Sequence, residues 1–308
     1  MSRGTVENII ELVGNTPLLH LARFCKPPLG EVYAKLEYLN PGGSIKDRAA
    51  LGMILDAEQR GTLRKGATII EPTAGNTGIG LALVGVARGY RVILCVPEGY
   101  SREKMKVMEA LGGEIRYVTK DEGMKGAIAL AEKLSGEIPD SFVPQQFNNP
   151  SNPCYHEQTT AREIIEQMDG RIDAIAIGAG TAGTFTGIAR ALKKLNSTAL
   201  CVLVEPEGSI FGGGLPGSHK VEGIGQSQFV PPNYDEKVAD EIMMITDKEA
   251  FAAVRRLAET EGALVGGSAG AAAAAARRLA ERLGAGKRIV TVFPDGAERY
   301  MSQGIFDQ

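Results

Sequence analysis

A lysine set in a glycine-rich turn is the first feature of this chain that could do chemistry. Asn40-Pro41-Gly42-Gly43-Ser44-Ile45-Lys46-Asp47-Arg48 directly follows 32–37, a run with the make-up of a strand. Glycine lets the backbone approach a ligand closely, and a lysine on such a turn can reach into a cleft. Those are the needs of a lysine that forms a Schiff base with a carbonyl compound. A solvated lysine at a helix start would show the same nine residues, so the stretch alone leaves both readings open.

Three further glycine turns carry hydroxyls. Glu71-Pro72-Thr73-Ala74-Gly75-Asn76-Thr77-Gly78-Ile79-Gly80 leaves a strand-like run and opens a helical pattern. Free N–H groups and the positive dipole end of a helix suit an anion there; alternatively Asn76 or Thr77 is merely the N-cap. Gly178-Ala179-Gly180-Thr181-Ala182-Gly183-Thr184 fits G-x-G-x-x-G, and the next strand ends in Glu205 at the distance of a ribose-binding acid. It reads equally as a cup for one phosphate, made of N–H groups with the hydroxyls of Thr181 and Thr184. In Leu264-Val265-Gly266-Gly267-Ser268-Ala269-Gly270, Ser268 is either an N-cap or a hydroxyl offered to a ligand ring. Phe293-Pro294-Asp295-Gly296 lies at the end of the last strand candidate, where ligands gather in α/β folds.

The elements that must position these turns alternate along the chain. Strands are expected at 32–37, 68–71, 91–96, 114–118, 173–177, 200–204 and 288–293. Helices are expected at 48–58, 78–88, 102–111, 124–134, 158–168, 183–195, 247–261 and 269–283. Strand-then-helix repetition predicts an α/β fold with parallel sheet covered on both faces. Two stretches lack pattern. Residues 206–235, rich in Gly, Pro and Ser, are too long for an ordinary connection and read as a functional loop. Residues 143–156 read as irregular chain passing between two domains.

The 308 residues allow two domains or subdomains. A net charge of -3 without a basic block argues against nucleic acid. The opening stretch Met1-Ser2-Arg3-Gly4-Thr5 has no signal-peptide core, and no apolar run is long enough to span a membrane. A cytoplasmic protein with reduced thiols is expected. Cys25, Cys95, Cys154 and Cys201 show no metal-binding spacing with the three histidines. Cys95 and Cys201 read as core, and Cys154 as a buried bystander or, alternatively, a redox-sensitive thiol near the cleft.

Taken in order, the lysine turn, the hydroxyl-rich loop, the cup and the serine turn resemble the fold type II pyridoxal-phosphate (PLP) enzymes. The resemblance is closest to the cysteine synthase and cystathionine β-synthase family, and runs from Ile10-Glu11-Leu12-Val13-Gly14-Asn15-Thr16-Pro17-Leu18 to Glu298-Arg299-Tyr300-Met301-Ser302. N-P-G-G-S-I-K-D-R together with E-P-T-A-G-N-T-G-I-G is foreign to dinucleotide enzymes, so the dinucleotide reading gives way. The implied fold is that of a tryptophan synthase β-like enzyme: two α/β domains with mostly parallel sheets and the cofactor in the cleft between them. The implied domains are a small mobile one, 47–149, and a large PLP-binding one, 1–46 plus 150–308.

The resemblance also implies roles. Lys46 would hold PLP as an internal aldimine and then act as the base on the substrate α-carbon. Asn76 would lie beside the ring hydroxyl, and Ser268 would bond the pyridine nitrogen. Gly180, Thr181, Ala182, Gly183 and Thr184 would hold the phosphate. Thr73, Ala74, Gly75, Asn76 and Thr77 would clasp the substrate carboxylate, with Gln146 on the substrate side and Gly223 at the mouth of the site. A serine at the pyridine nitrogen favours β-elimination over transamination. The implied reaction is β-replacement on serine or O-acetylserine with homocysteine, through an aminoacrylate, to give cystathionine. The alternatives are a cysteine synthase using sulfide and, in another class, a regulatory partner of serine acetyltransferase. A homodimer is implied too.

Within the family, Gly61-Thr62-Leu63-Arg64-Lys65-Gly66 and Gly267-Ser268-Ala269-Gly270 look like cystathionine β-synthases. Without a haem-binding extension or a regulatory domain pair, the chain resembles the short bacterial forms that take O-acetylserine. Three departures stand out. Ala74 replaces a serine of many relatives, which weakens the case for free serine as donor. Ala182 replaces a cup glycine, tolerable only where φ is not positive. Gly296-Ala297 replaces a serine-rich version. His156 reads as a packing or hydrogen-bonding residue, since Lys46 already supplies a base.

Overall fold

The computed structural model describes residues 4–307; Met1, Ser2 and Arg3 of the opening stretch read above for a leader lie outside them. The chain forms two compact units. One gathers residues up to Val13 with Asn40–Asn152, the other Gly14–Leu39 with the chain from Pro153 onward. Strands β1 (Leu18–His20) and β2 (Glu31–Leu36) belong to the second unit, and the chain then enters the first at the lysine turn.

In the first unit, α1 (Lys46–Gln59), β3 (Thr68–Pro72), α2 (Asn76–Ala87), β4 (Arg91–Pro97), α3 (Arg102–Ala110), β5 (Glu114–Val118), α4 (Gly123–Glu137) and β6 (Ser141–Phe142) follow the alternation expected from the sequence. The four strands form an all-parallel sheet in the order β5-β4-β3-β6. β3 is buried over its first four residues, Glu71 included, and β4 over all but Arg91, the pattern of strands covered on both faces. The expected small domain, 47–149, lies inside this unit. The unit also takes in Lys46 and its turn, because α1 starts at Lys46, and the segment up to Val13, where Asn8 Nδ2 donates to Ala87 O at 3.3 Å.

The second unit continues through α5 (Ser151–Gln158), which starts in the first, then α6 (Thr160–Gln167), β7 (Ala174–Gly178), α7 (Gly183–Leu195), β8 (Leu200–Pro206), β9 (Glu241–Ile245), α8 (Asp247–Glu261), α9 (Gly267–Leu283) and β10 (Arg288–Phe293). Its sheet runs β1-β2-β10-β7-β8-β9, parallel except for the β1–β2 pair. Alanine-rich α9 is buried along most of its length, as the alanine run suggested; small side chains let a helix sit close to a sheet.

Of the expected loop 206–235, Pro206 still belongs to β8, and residues 207–235 contain no helix or strand. The other irregular stretch, 143–156, is corrected in its second half, where α5 begins at Ser151. Its N-terminal turn is set by Asn149 Oδ1, which accepts from Ser151 N at 3.0 Å, and by Ser151 Oγ, which donates to Asp56 at 2.6 Å. Strands β1, β6 and β9 were not foreseen. β1 and β6 have three and two residues, too few for a periodicity, and β9 is an edge strand behind the long loop.

Candidate active site

The lysine turn is built before the lysine. Pro41 and Gly42 fill the corner of a turn closed by Gly43 N donating to Asn40 O at 2.8 Å. Gly43 has φ +76, a conformation glycine adopts without strain. The buried Asp47 carboxylate accepts from Gly42 N at 2.5 Å and lies so near that a side chain at Gly42 would collide with it. Lys46 is thereby held at the first position of α1, half-buried.

The second motif lies in the same unit. The N-cap of α2 is Gly75, and it makes no side-chain cap bond. Asn76 and Thr77 are therefore not caps, which removes the bland alternative for this loop. Thr77 instead donates to Gln146 Oε1 at 2.7 Å, joining two expected substrate residues 69 positions apart. Thr73 and Ala74 are buried, and Thr73 Oγ1 accepts from Gly75 N at 3.4 Å. Gly75 itself has extended backbone, and a Cβ there would meet open space. Nothing in the protein demands glycine at that position; close approach of a ligand to the backbone would.

Glu71 was read only as the first letter of this motif. The structure gives it more. Its buried carboxylate accepts from Gln145 N at 2.9 Å and from Gln146 N at 3.1 Å. Burial pushes its pKa up to about 7 against the pull of those two N–H groups. β6 is what delivers the two glutamines: it pairs in parallel with β3, so the chain beyond it runs past the end of β3.

In the second unit the cup stands between β7 and α7, as expected. Ala182 is the N-cap residue of α7, at φ +62. That corrects the expectation that its methyl group requires a non-positive φ: the left-handed conformation is present with alanine in it, at a cost of about 1–2 kcal/mol. The 222–226 loop is fastened onto the cup. Gly225 N donates to Ala179 O at 2.8 Å, Gln226 Nε2 donates to Gly180 O at 3.2 Å, and a side chain at Gly180 would strike Gly223 O. Gly223 has φ +87 and open space at its Cβ position. Thr184 Oγ1 lies 3.3 Å from Nε2 of buried His156, whose Nδ1 lies 2.9 Å from Thr160 Oγ1. The hydrogen-bonding role read for His156 thus falls on a cup residue.

Glu205 is engaged by the protein's own backbone. Its carboxylate accepts from Phe211 N at 3.0 Å and Gly212 N at 3.1 Å, fastening the start of the long loop. Ser268 is buried in the first turn of α9, whose N-cap is Gly266, so Ser268 is not a cap either. Gly266 N donates to Asp295 O at 3.2 Å, and a side chain at Gly266 would meet the Asp295 carboxylate and the Tyr300 ring. Tyr300 in turn donates to Asp295. The serine turn is thereby fixed to the end of β10, the parallel neighbour of β7 that carries the cup.

Cys154 corrects another expectation, since it is exposed on α5 rather than a buried bystander. Cys25, Cys95 and Cys201 are buried, and burial raises their thiol pKa to about 11, 11 and 12. Among the described residues no group of His, Cys, Asp and Glu could hold a metal ion, and no helix is long and apolar enough to cross a membrane.

The family model described as pyridoxal-phosphate dependent enzyme matches residues 9–295, and the chain belongs to that family. It is 48% identical over 302 residues to the O-acetylserine dependent cystathionine beta-synthase of Bacillus subtilis (strain 168), covering 98% of each chain. It is 44% identical over 308 residues to a cysteine synthase of Staphylococcus aureus (strain N315), covering 99% of each. The crystal structure of O-acetylserine dependent cystathionine beta-synthase from Helicobacter pylori matches with a TM-score of 0.93 at 42% identity, over 99% of this chain and 100% of that one. The fold is accordingly type II, α/β with mostly parallel sheets.

The residues present fit the family's cofactor. A phosphate suits the glycine-lined N-terminus of α7, a carbonyl suits Lys46, and an aromatic nitrogen suits the buried Ser268 hydroxyl released from capping.

Proposed function

We propose that the protein catalyses β-replacement on O-acetylserine or serine, with homocysteine as the nucleophile and cystathionine as the product. The observation that carries this reading is the second motif. The N-terminus of α2 is uncapped, Gly75 faces open space, and Thr77 is tied to Gln146. Those features support a carboxylate receptor at the loop where amino-acid substrates would bind.

In this reading PLP, held by Lys46 and the cup 180–184, supplies the electron sink that makes the α-proton acidic and the β-substituent able to leave. Lys46 Nζ takes that proton. The N–H groups at the start of α2 and the Thr73 hydroxyl hold the substrate carboxylate, which fixes the Cα–H bond toward Lys46, while Thr77, whose hydroxyl proton goes to Gln146, is pinned at that helix start. Asn76 steadies the ring hydroxyl, and Ser268 offers a neutral hydrogen bond to the ring nitrogen. Gly223 and its loop, fastened to the cup, border the entrance. Ala74 carries no hydroxyl to assist a poor leaving group, which supports acetate over hydroxide as the group that departs.

Cysteine synthesis from sulfide is the second reading, and the cysteine synthase of Staphylococcus aureus supports it. A homodimer in the cytoplasm belongs to the same proposal, and a regulatory partner of serine acetyltransferase is the alternative from another class. Visible absorbance of the purified holoenzyme tests it. O-acetylserine should shift the cofactor band to longer wavelength, and homocysteine should restore it with release of cystathionine. Restoration by sulfide alone assigns the protein to cysteine synthesis, and a colourless protein that PLP cannot reconstitute overturns the proposal.

A further inference from the structure

The geometry points to Glu71 as the positioning residue of the substrate-carboxylate site, acting through Gln146 on Thr77. This rests on the carboxylate-binding reading of residues 73–77.

Glu71 stands near the end of β3, just before the loop. What it holds is the neighbouring turn. Gln145 has φ +54, a conformation uncommon outside glycine. Asn148 N and Asn149 N both donate to Gln145 O, at 2.9 and 3.0 Å, which keeps the turn closed. A residue in that conformation aims two successive N–H groups the same way, a concavity suited to an anion. Here the anion is the protein's own: one carboxylate oxygen on each N–H. Asn152 Nδ2 donates to Gln146 O at 3.0 Å and clamps the same residue from the far side.

With its backbone fixed at N–H and carbonyl, Gln146 presents Oε1 to Thr77 at 2.7 Å. That bond consumes the Thr77 hydroxyl proton and leaves its oxygen oriented. The hydroxyl direction of a residue on α2 is thus decided by a carboxylate on β3, through a turn about 70 positions further along.

The clamp needs the ionised form, because only a carboxylate accepts at both oxygens. The groups acting on Glu71 are its own burial and the two N–H donors, with no cation among them. The Cys95 thiol on adjacent β4 feels its charge and is itself kept neutral by burial. Protonation near neutral pH would therefore release one of the two N–H groups.

The test compares wild-type holoenzyme with Glu71→Gln, which keeps the shape and removes one acceptor. The cofactor band before substrate should be unchanged. The O-acetylserine concentration that half-saturates the spectral shift should rise about tenfold, with kcat at saturation within about threefold. In wild type that concentration should climb as pH falls below about 7, and the climb should be absent in Glu71→Gln. Glu71→Gln combined with Gln146→Ala should bind no worse than Gln146→Ala alone, since both act through one residue. If Glu71→Gln does not fold, Gln146→Ala carries the test, because it should also flatten the wild-type pH response. Wild-type half-saturation in Glu71→Gln, or effects that multiply in the double variant, overturns the role. A wild type that binds PLP but gives no shift with O-acetylserine overturns the carboxylate reading itself, and the two failures are thereby distinct.

Discussion

The Cα of Gly80 lies so close to the carbonyl of Lys46 that a Cβ added there would sit 2.7 Å from the oxygen. The last glycine of one motif is therefore the seat of the lysine of the other. α2 packs against α1 at this point, and the contact is backbone to backbone, so neither side can yield by a rotamer change.

Gly80→Ala and Gly75→Ala separate packing from ligand binding. Gly80→Ala should destabilise the fold by about 1–3 kcal/mol, as overpacking does, and should lower PLP occupancy by displacing Lys46. Gly75→Ala has extended backbone and open space. It should unfold within about 1 kcal/mol of wild type and keep its cofactor, yet lose O-acetylserine binding. Denaturant unfolding and titration of the visible band check both.

Ala182→Gly should stabilise the protein. The left-handed conformation costs alanine about 1–2 kcal/mol, while glycine adds about 0.5–1 kcal/mol of unfolded-state entropy. A net gain of about 0.5–1 kcal/mol in denaturant unfolding is expected, with the cofactor phosphate bound at least as tightly. A loss of stability would show that the methyl packs favourably enough to offset its strain.

Stability should fall as pH rises through Glu71. Its pKa is raised from 4.5 to about 7 on folding, so between those values the native state binds more protons than the unfolded one. The contribution is fully present below 4.5 and lost above about 7, a span worth roughly 3 kcal/mol. The stability difference between wild type and Glu71→Gln, followed from pH 4.5 to about 8 by urea unfolding, should move in favour of the variant as pH rises. Substrate binding is expected to move the other way, since the clamp needs the charge.

Of the four thiols, Cys154 alone should react promptly with a maleimide in the native protein. The other three are buried with raised pKa values and should label only after unfolding. Mass spectrometry of the labelled chain reads the count, and Cys154→Ser should abolish native labelling.

The alternation of elements was legible in the sequence because its signals are local. A strand such as 91–96 is a short, mostly apolar run, and a helix such as 247–261 shows its own period. The glycine turns were legible too, since turn chemistry depends on a few adjacent residues. Residue types in order were enough for the family.

Other features waited for the tertiary structure because they join distant positions. No local signal marks β6, whose two residues bring Gln146 to Glu71, or the bond from Thr77 that follows from it. Whether Asn76, Thr77 and Ser268 were caps depended on which glycine began each helix, a matter of one or two residues that backbone geometry decides. The positive φ of Ala182 goes against its residue type, and only the close fit of the cup between β7 and α7 imposes it. Cys154 misled for a similar reason: a small apolar side chain packs well inside, but the face of α5 it occupies points outward. Periodicity and turn chemistry are written along the chain; burial, clamps and strain arise only when the chain closes on itself.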